Sequence, residues 1–125
     1  MLNLILVATG GALGAVLRYL LTTVSKSFFV SSIYGTFCVN IIGSFLIGYL
    51  ITSDVVYKFS ENFIKFFLII GLLGSFTTFS AFSYEVVELI NSKKYITSFT
   101  YVFVSIFLCI TFAYLGTLLN KFWFD

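Results

Sequence analysis

Apolar residues run through this chain in four long blocks, at residues 4–23, 33–52, 63–82 and 96–119, interrupted only by scattered small, hydroxyl-bearing and occasional polar residues. The third block continues, more polar, to about residue 90. Barrel strands alternate apolar with polar at every second position, whereas these blocks are apolar on all faces. About 20 such residues cross a hydrocarbon core of ~30 Å as an α-helix. The pattern therefore predicts an all-α membrane protein with four transmembrane helices, at about 4–23, 33–52, 63–90 and 96–119, forming a single domain over residues 1–125. The connections at 24–32, 53–62 and 91–95 leave no room between spans for a soluble domain. The first block reads as a span rather than a cleaved leader, because it lacks a basic start and carries Arg18 near its far end.

The third block is too long for a simple span. As one helix, 62–91 would measure about 45 Å. Its end, Tyr84 to Asn91, carries Glu85 and Glu88 and reads as an interfacial extension. Its middle, GLLGSFTTFSAFS at 71–83, reads as a break in the helix near 74–78. Ser and Thr side chains compete with the helix for backbone hydrogen bonds, and Gly lowers the cost of leaving it. Unwound backbone at membrane depth is tolerated only inside protein or beside a cavity, where its free carbonyls can coordinate a cation.

Composition narrows the class further. Of 125 residues, 60% are hydrophobic and 10% charged, with no His and no Pro, and the mean hydropathy is +1.10. Soluble domains are about 25% charged, so a soluble globule, a disordered chain and a nucleic-acid binder are excluded. The partner is a lipid bilayer.

Charge leaves the orientation open. Four spans put both termini on one side, with Lys58, Lys65 and Lys121, against Lys26, Lys93 and Lys94 on the other, plus Arg18 inside a span. So even a balance specifies orientation poorly. It fits either statistical noise in a short chain or insertion in both orientations with head-to-tail pairing. The abundance of small and polar residues in the spans favours assembly, since such residues avoid lipid.

Several of those residues fall on common faces. Gly10, Gly14 and Arg18 recur at steps of four in the first span. The glycines read as a packing face, while Arg18 snorkels, pairs or lines a wet vestibule. Thr36, Asn40, Ser44 and Gly48 make a small, polar face of the second span. An unsatisfied amide in the bilayer costs on the order of several kcal/mol, so Asn40 bonds either to another helix or to a permeating species. Gly74 to Ser83 packs five hydroxyls and three Phe into ten residues, with Phe79 and Phe82 on one face if helical. A phenyl ring offers a negative face to cations and a positive edge to anions. Tyr101, Ser105 and Cys109 form a weakly polar stripe in the fourth span, suited to packing or to lining a narrow path.

The inventory also excludes. With no His, no paired cysteines and no phosphate-cradling loop, the chain does not read as an enzyme. No acidic residue is expected deep in a span, which counts against a small dual-topology exporter of cationic drugs. A non-transporting scaffold would explain the small-residue faces but not the hydroxyls around Phe79. The lining suits a small neutral or anionic solute that accepts hydrogen bonds.

GGALGAVLRY in the first span, GTFCVNIIGSF in the second and GLLGSFTTFSAFS in the third closely resemble the Fluc (CrcB) family of microbial fluoride channels. The resemblance covers essentially the whole chain, and the TTFS motif beside a glycine is its most specific part. It implies an antiparallel, dual-topology dimer in the cell membrane, of like or, as in some members, unlike subunits, with two pores along the subunit interface and passive, selective permeation of fluoride that gives resistance; the nearly balanced charges here favour a homodimer. By motif, Phe79 and Phe82 resemble the rings whose edges face fluoride, and Asn40 the amide that holds ring or ion. Thr78, Ser80, Tyr101 and Ser105 resemble a polar track, and Arg18 a vestibule arginine. Gly74 and Thr77 resemble the positions whose backbone carbonyls, from both subunits, hold a structural Na+ at the dimer centre. Ser75, Ala81 and Cys109 depart from the family's usual Gly, Thr and Ser, and a thiol is a weaker donor than a hydroxyl.

Overall fold

The computed structural model describes residues 1–29, 31–53 and 60–124, with side chains described as far as residue 119. Lys58 therefore lies outside the described residues, and of Lys121 only the backbone is described. The chain forms α1 (Leu2–Phe29), α2 (Ile33–Thr52), a π-helical α3 (Phe63–Leu73) that runs into one α-helical turn (Gly74–Phe76), α4 (Phe79–Asn91) and α5 (Tyr95–Phe124). Four stretches are long and apolar enough to cross a bilayer, Leu2–Phe29, Ile33–Thr52, Phe63–Asn91 and Tyr95–Leu119. Among the described residues there is no strand. The all-α, four-span architecture read from the sequence is the one observed. α1 and α5 overrun their apolar blocks, because hydropathy marks the lipid-facing length whereas a helix continues until a backbone signal stops it.

The stop after α4 shows such a signal. Lys93 adopts a left-handed conformation, φ 58°. This lets the N–H groups of Lys93 and Lys94 reach back to the carbonyls of Ile90 and Leu89, each at 2.9 Å. The pattern is a Schellman cap, with lysine where glycine is the usual occupant.

α2 is the central helix and touches α1, α3, α4 and α5. Its buried residues include Thr36, Val39, Gly43 and Gly48, and Val39 is fully enclosed. α1 packs chiefly on α3, and the glycine face of α1 makes that contact: a Cβ at Gly14 would run into the Leu72 carbonyl oxygen. The backbones of α1 and α3 thus touch directly, as small residues permit in membranes. α2 packs mainly on α5, and α4 lies against α5 and α2. Leu13, Val16, Phe103, Phe107 and Ile110 are among many large apolar side chains left exposed. Apolar patches on that scale face lipid or another protein rather than water.

Candidate functional site

The helix of the third span stops at Phe76 and resumes at Phe79. Between them Thr77 (φ −75°, ψ 154°) and Thr78 (φ −151°, ψ 116°) are extended. Two extended residues interrupt the i to i−4 ladder, so buried polar groups there need other partners. Asn40 of α2 supplies two. Its Nδ2 donates to the Thr78 carbonyl at 3.0 Å, and its Oδ1 accepts from the Thr78 N–H at 2.8 Å. Thr78 in turn caps α4, its Oγ1 accepting from the Ala81 N–H at 3.1 Å, as an N-cap threonine does. Gly43, one turn beyond Asn40, leaves room for the Thr77 methyl, which a Cβ there would hit.

These bonds strip two carbonyls of their helical donors. In an unbroken helix the Gly74 carbonyl would receive the Thr78 N–H, and the Thr77 carbonyl the Ala81 N–H. The first is taken by Asn40 and the second by the Thr78 hydroxyl.

Below the break, Asn40, Ser44, Thr78, Phe82, Ser105 and Cys109 border a cavity of about 250 Å³, with Phe79 at its edge. The rings of Phe79 and Phe82 lie 5.5 Å apart, tilted by 45°. Within one chain they differ: Phe82 is 7% exposed and Phe79 76%. Phe82 also meets Tyr101, 5.1 Å between centroids. Ser105 is buried, and its Oγ has no hydrogen-bond partner among the described residues. An unpartnered buried hydroxyl is a costly arrangement.

Glu85, in the extension that the sequence places at the interface, is enclosed by the other helices and only 3% exposed. The Thr36 hydroxyl donates to its Oε1 and the Tyr101 hydroxyl to its Oε2, each at 2.8 Å. A buried carboxyl persists when both oxygens are satisfied, and here α2 and α5 each satisfy one. A signal was available in the sequence: Phe82, Glu85 and Leu89 share one face of α4 and are its buried residues. Glu88, by contrast, is exposed.

Not every candidate joins the first cavity. Arg18 is half-buried and lines a second cavity of about 350 Å³ with Lys26, Thr36, Tyr84 and Glu85. Thr78 borders both cavities. Ser80 is exposed, and its Oγ lies 3.2 Å from the Thr78 Oγ1. Gly74 is exposed and Thr77 half-buried. Thr117 of α5 bonds back to its own helix, donating to the Tyr114 carbonyl at 2.7 Å.

Four apolar helices, one of them interrupted beside a cavity lined by an amide, hydroxyls and aromatic rings, define a multi-pass integral membrane protein of the transport class. The chain belongs to the CrcB family: the model for CrcB-like protein, Camphor Resistance (CrcB), matches residues 5–117. Among its relatives, the fluoride-specific ion channel FluC of Oceanobacillus iheyensis is 47% identical over 118 residues, covering 93% of this chain and 89% of the relative. The protein of the same name from Campylobacter hominis is 42% identical over 116 residues, 91% of each chain. That from Methanococcus aeolicus is 35% identical over 120 residues, 96% of each. The protein is accordingly a multi-pass protein of the cell membrane.

Proposed function

We propose that this chain is a fluoride-selective passive channel, not an enzyme, that carries cytoplasmic fluoride out of the cell. Hydrogen fluoride enters as a neutral weak acid and dissociates in a more alkaline cytoplasm, and a channel lets the membrane potential drive the trapped anion out. The observation that carries the reading is that Ser105, whose buried hydroxyl has no partner among the described residues, lines the same cavity as the tilted Phe79–Phe82 pair. An O–H donor and aromatic ring edges are the groups that stabilise a small anion stripped of water. The names of the relatives support fluoride as that anion.

The working unit is an antiparallel homodimer with dual topology. Phe79, exposed on a single chain and adjoining the cavity, finds cover and a second wall in a partner copy. Gly74 supports the same arrangement. A Cβ there would come no nearer than 3.5 Å to the Ile69 carbonyl oxygen. The chain's own packing therefore does not demand glycine, whereas close approach of a second backbone would.

A structural Na+ fits the break. The Gly74 and Thr77 carbonyls have lost their helical donors, and carbonyl oxygens are the ligands that hard monovalent cations take. Two from each of two chains would hold the ion at the dimer centre. The ion would join the subunits. Asn40, Phe79, Phe82, Thr78, Ser80, Tyr101 and Ser105 then form the fluoride path, with Arg18 in the vestibule.

Glu85 reopens the cation-exporter alternative only briefly. It is a buried carboxyl, but both its oxygens already accept hydroxyl hydrogen bonds, which leaves little to offer a permeating cation.

Purified protein in liposomes tests the proposal, with efflux followed by a fluoride electrode and chloride as control. Rapid fluoride loss once a potassium ionophore shunts the voltage, without chloride loss, is expected. Phe79→Ile and Phe82→Ile should abolish flux while leaving assembly intact. Absence of flux from a stable dimer of the unmodified protein refutes the reading.

A further inference from the structure

Arg18, Thr22 and Lys26 recur at steps of four on α1, and all three line the cavity of about 350 Å³. That cavity shares Thr78 with the one beside Phe79 and Phe82. Arg18 is half-buried, whereas Lys26 is exposed and stands in the last turn of the helix. Eight residues of helix rise about 12 Å, so the two cations mark the inner part and the outer end of one face. Among the described residues neither side chain makes a hydrogen bond or an ion pair. The lining includes one carboxyl, that of Glu85, whose two oxygens already accept from Thr36 and Tyr101. Two free cations therefore share the cavity with a single acid that is committed to other partners. A lysine in the last turn of a helix also offsets the helix dipole. The dipole does not explain why Lys26 shares a face and a cavity with Arg18.

We propose that Lys26 is a further residue of the anion path: it stands at the mouth of this cavity and, with Arg18, concentrates fluoride ahead of Thr78. The inference rests on the permeation reading above and deepens it by naming the residue that draws the anion in. A cleft lined by one sign of charge raises the local concentration of the opposite ion. At ~0.1 M salt the Debye length is about 10 Å. The field of Arg18 is then largely screened at the outer end of the cavity, about 12 Å away along the helix, and Lys26 supplies it there.

Single-channel fluoride currents in planar bilayers test this, at low fluoride and with potassium isethionate added on both sides to raise the ionic strength. Lys26→Gln should lower the current about two- to tenfold at ~0.01 M ionic strength, where charges act over about 30 Å. At ~1 M, where they act over about 3 Å, it should match the unmodified protein. Lys26→Arg should behave as the parent at both, and Lys26→Glu should fall below Lys26→Gln in low salt. Lys94→Gln removes the same charge from an exposed residue that does not line the cavity, and should have no such effect. Light scattering checks that each variant assembles, with Lys26→Met as the substitute if glutamine does not. An unchanged current for Lys26→Gln at low ionic strength overturns the inference and leaves the permeation reading standing; a dipole role alone would give that result together with lower stability. A deficit that persists at ~1 M, or that Lys94→Gln reproduces, overturns it as well. Absence of any fluoride current from the unmodified dimer refutes the permeation reading and this inference with it.

Discussion

Asn40 pairs with the backbone of Thr78 as a neighbouring strand would, its side-chain amide donating to the Thr78 carbonyl and accepting from the Thr78 N–H. One side chain on the central helix thereby satisfies both polar groups of the residue at which the third span is interrupted. Leaving a buried polar group unpaired costs about 1–3 kcal/mol. Asn40→Ala orphans both groups, so a loss of about 2–6 kcal/mol is expected. Asn40→Leu removes both the donor and the acceptor at similar volume, so it should not rescue. Unfolding titrations in mixed micelles measure both; a Leu variant as stable as the parent would contradict the pairing.

Glu85, Thr36 and Tyr101 tie α2, α4 and α5 together. Tyr101→Phe keeps the ring against Phe82 but deletes the donor to Oε2. A destabilisation of about 1–3 kcal/mol is expected. Combined with Glu85→Gln in a double-mutant cycle, the two changes should be non-additive by about 0.5–3 kcal/mol, as for residues in one network. Strict additivity would mean that the contact contributes nothing.

Two glycines should respond in opposite ways to the same methyl group. At Gly14 it meets the Leu72 carbonyl. Gly14→Ala must push α1 off α3, at about 1–3 kcal/mol. At Gly74 it makes only ordinary contact, 3.5 Å from the Ile69 carbonyl oxygen. Gly74→Ala should leave helicity unchanged by circular dichroism yet weaken the dimer, as read by light scattering over a detergent dilution series.

Lys93 holds a left-handed conformation that costs a non-glycine residue about 1–2 kcal/mol. Its backbone already makes the hydrogen bond a glycine would make there. Lys93→Gly should therefore raise the thermal midpoint, with a gain of about 1 kcal/mol offset in part by the greater freedom of glycine in the unfolded chain. A lowered midpoint would show that the lysine side chain supplies a contact worth more than the strain.

The proposed dimer, its proposed central Na+ and the fluoride path rest on different observations. The carbonyls left without their helical donors bear on the ion, the exposed Phe79 on the partner, and the unpartnered Ser105 on the anion. Removing Na+ by exchange into a large organic cation should loosen the dimer without unfolding the chain, measured by subunit exchange. Unchanged exchange would remove the ion from the assembly.

Hydropathy is a local property: the transfer free energy of each residue depends on its own side chain. The number of spans and their approximate positions could therefore be read directly from four apolar blocks. The same holds for the composition of 71–83, whose glycines and hydroxyls favour leaving the helix whatever surrounds them, and for the faces that repeat at steps of four. Partnership is not local. Asn40 meets Thr78 across 38 positions and Thr36 meets Glu85 across 49. Only the crossing of the helices decided that Asn40 bonds to protein, that Glu85 is enclosed, and that of two phenylalanines three residues apart one is buried and the other bare. Side-chain chemistry set what each of these groups requires; which neighbour supplies it depends on how α2, α4 and α5 meet, and no window of sequence contains that.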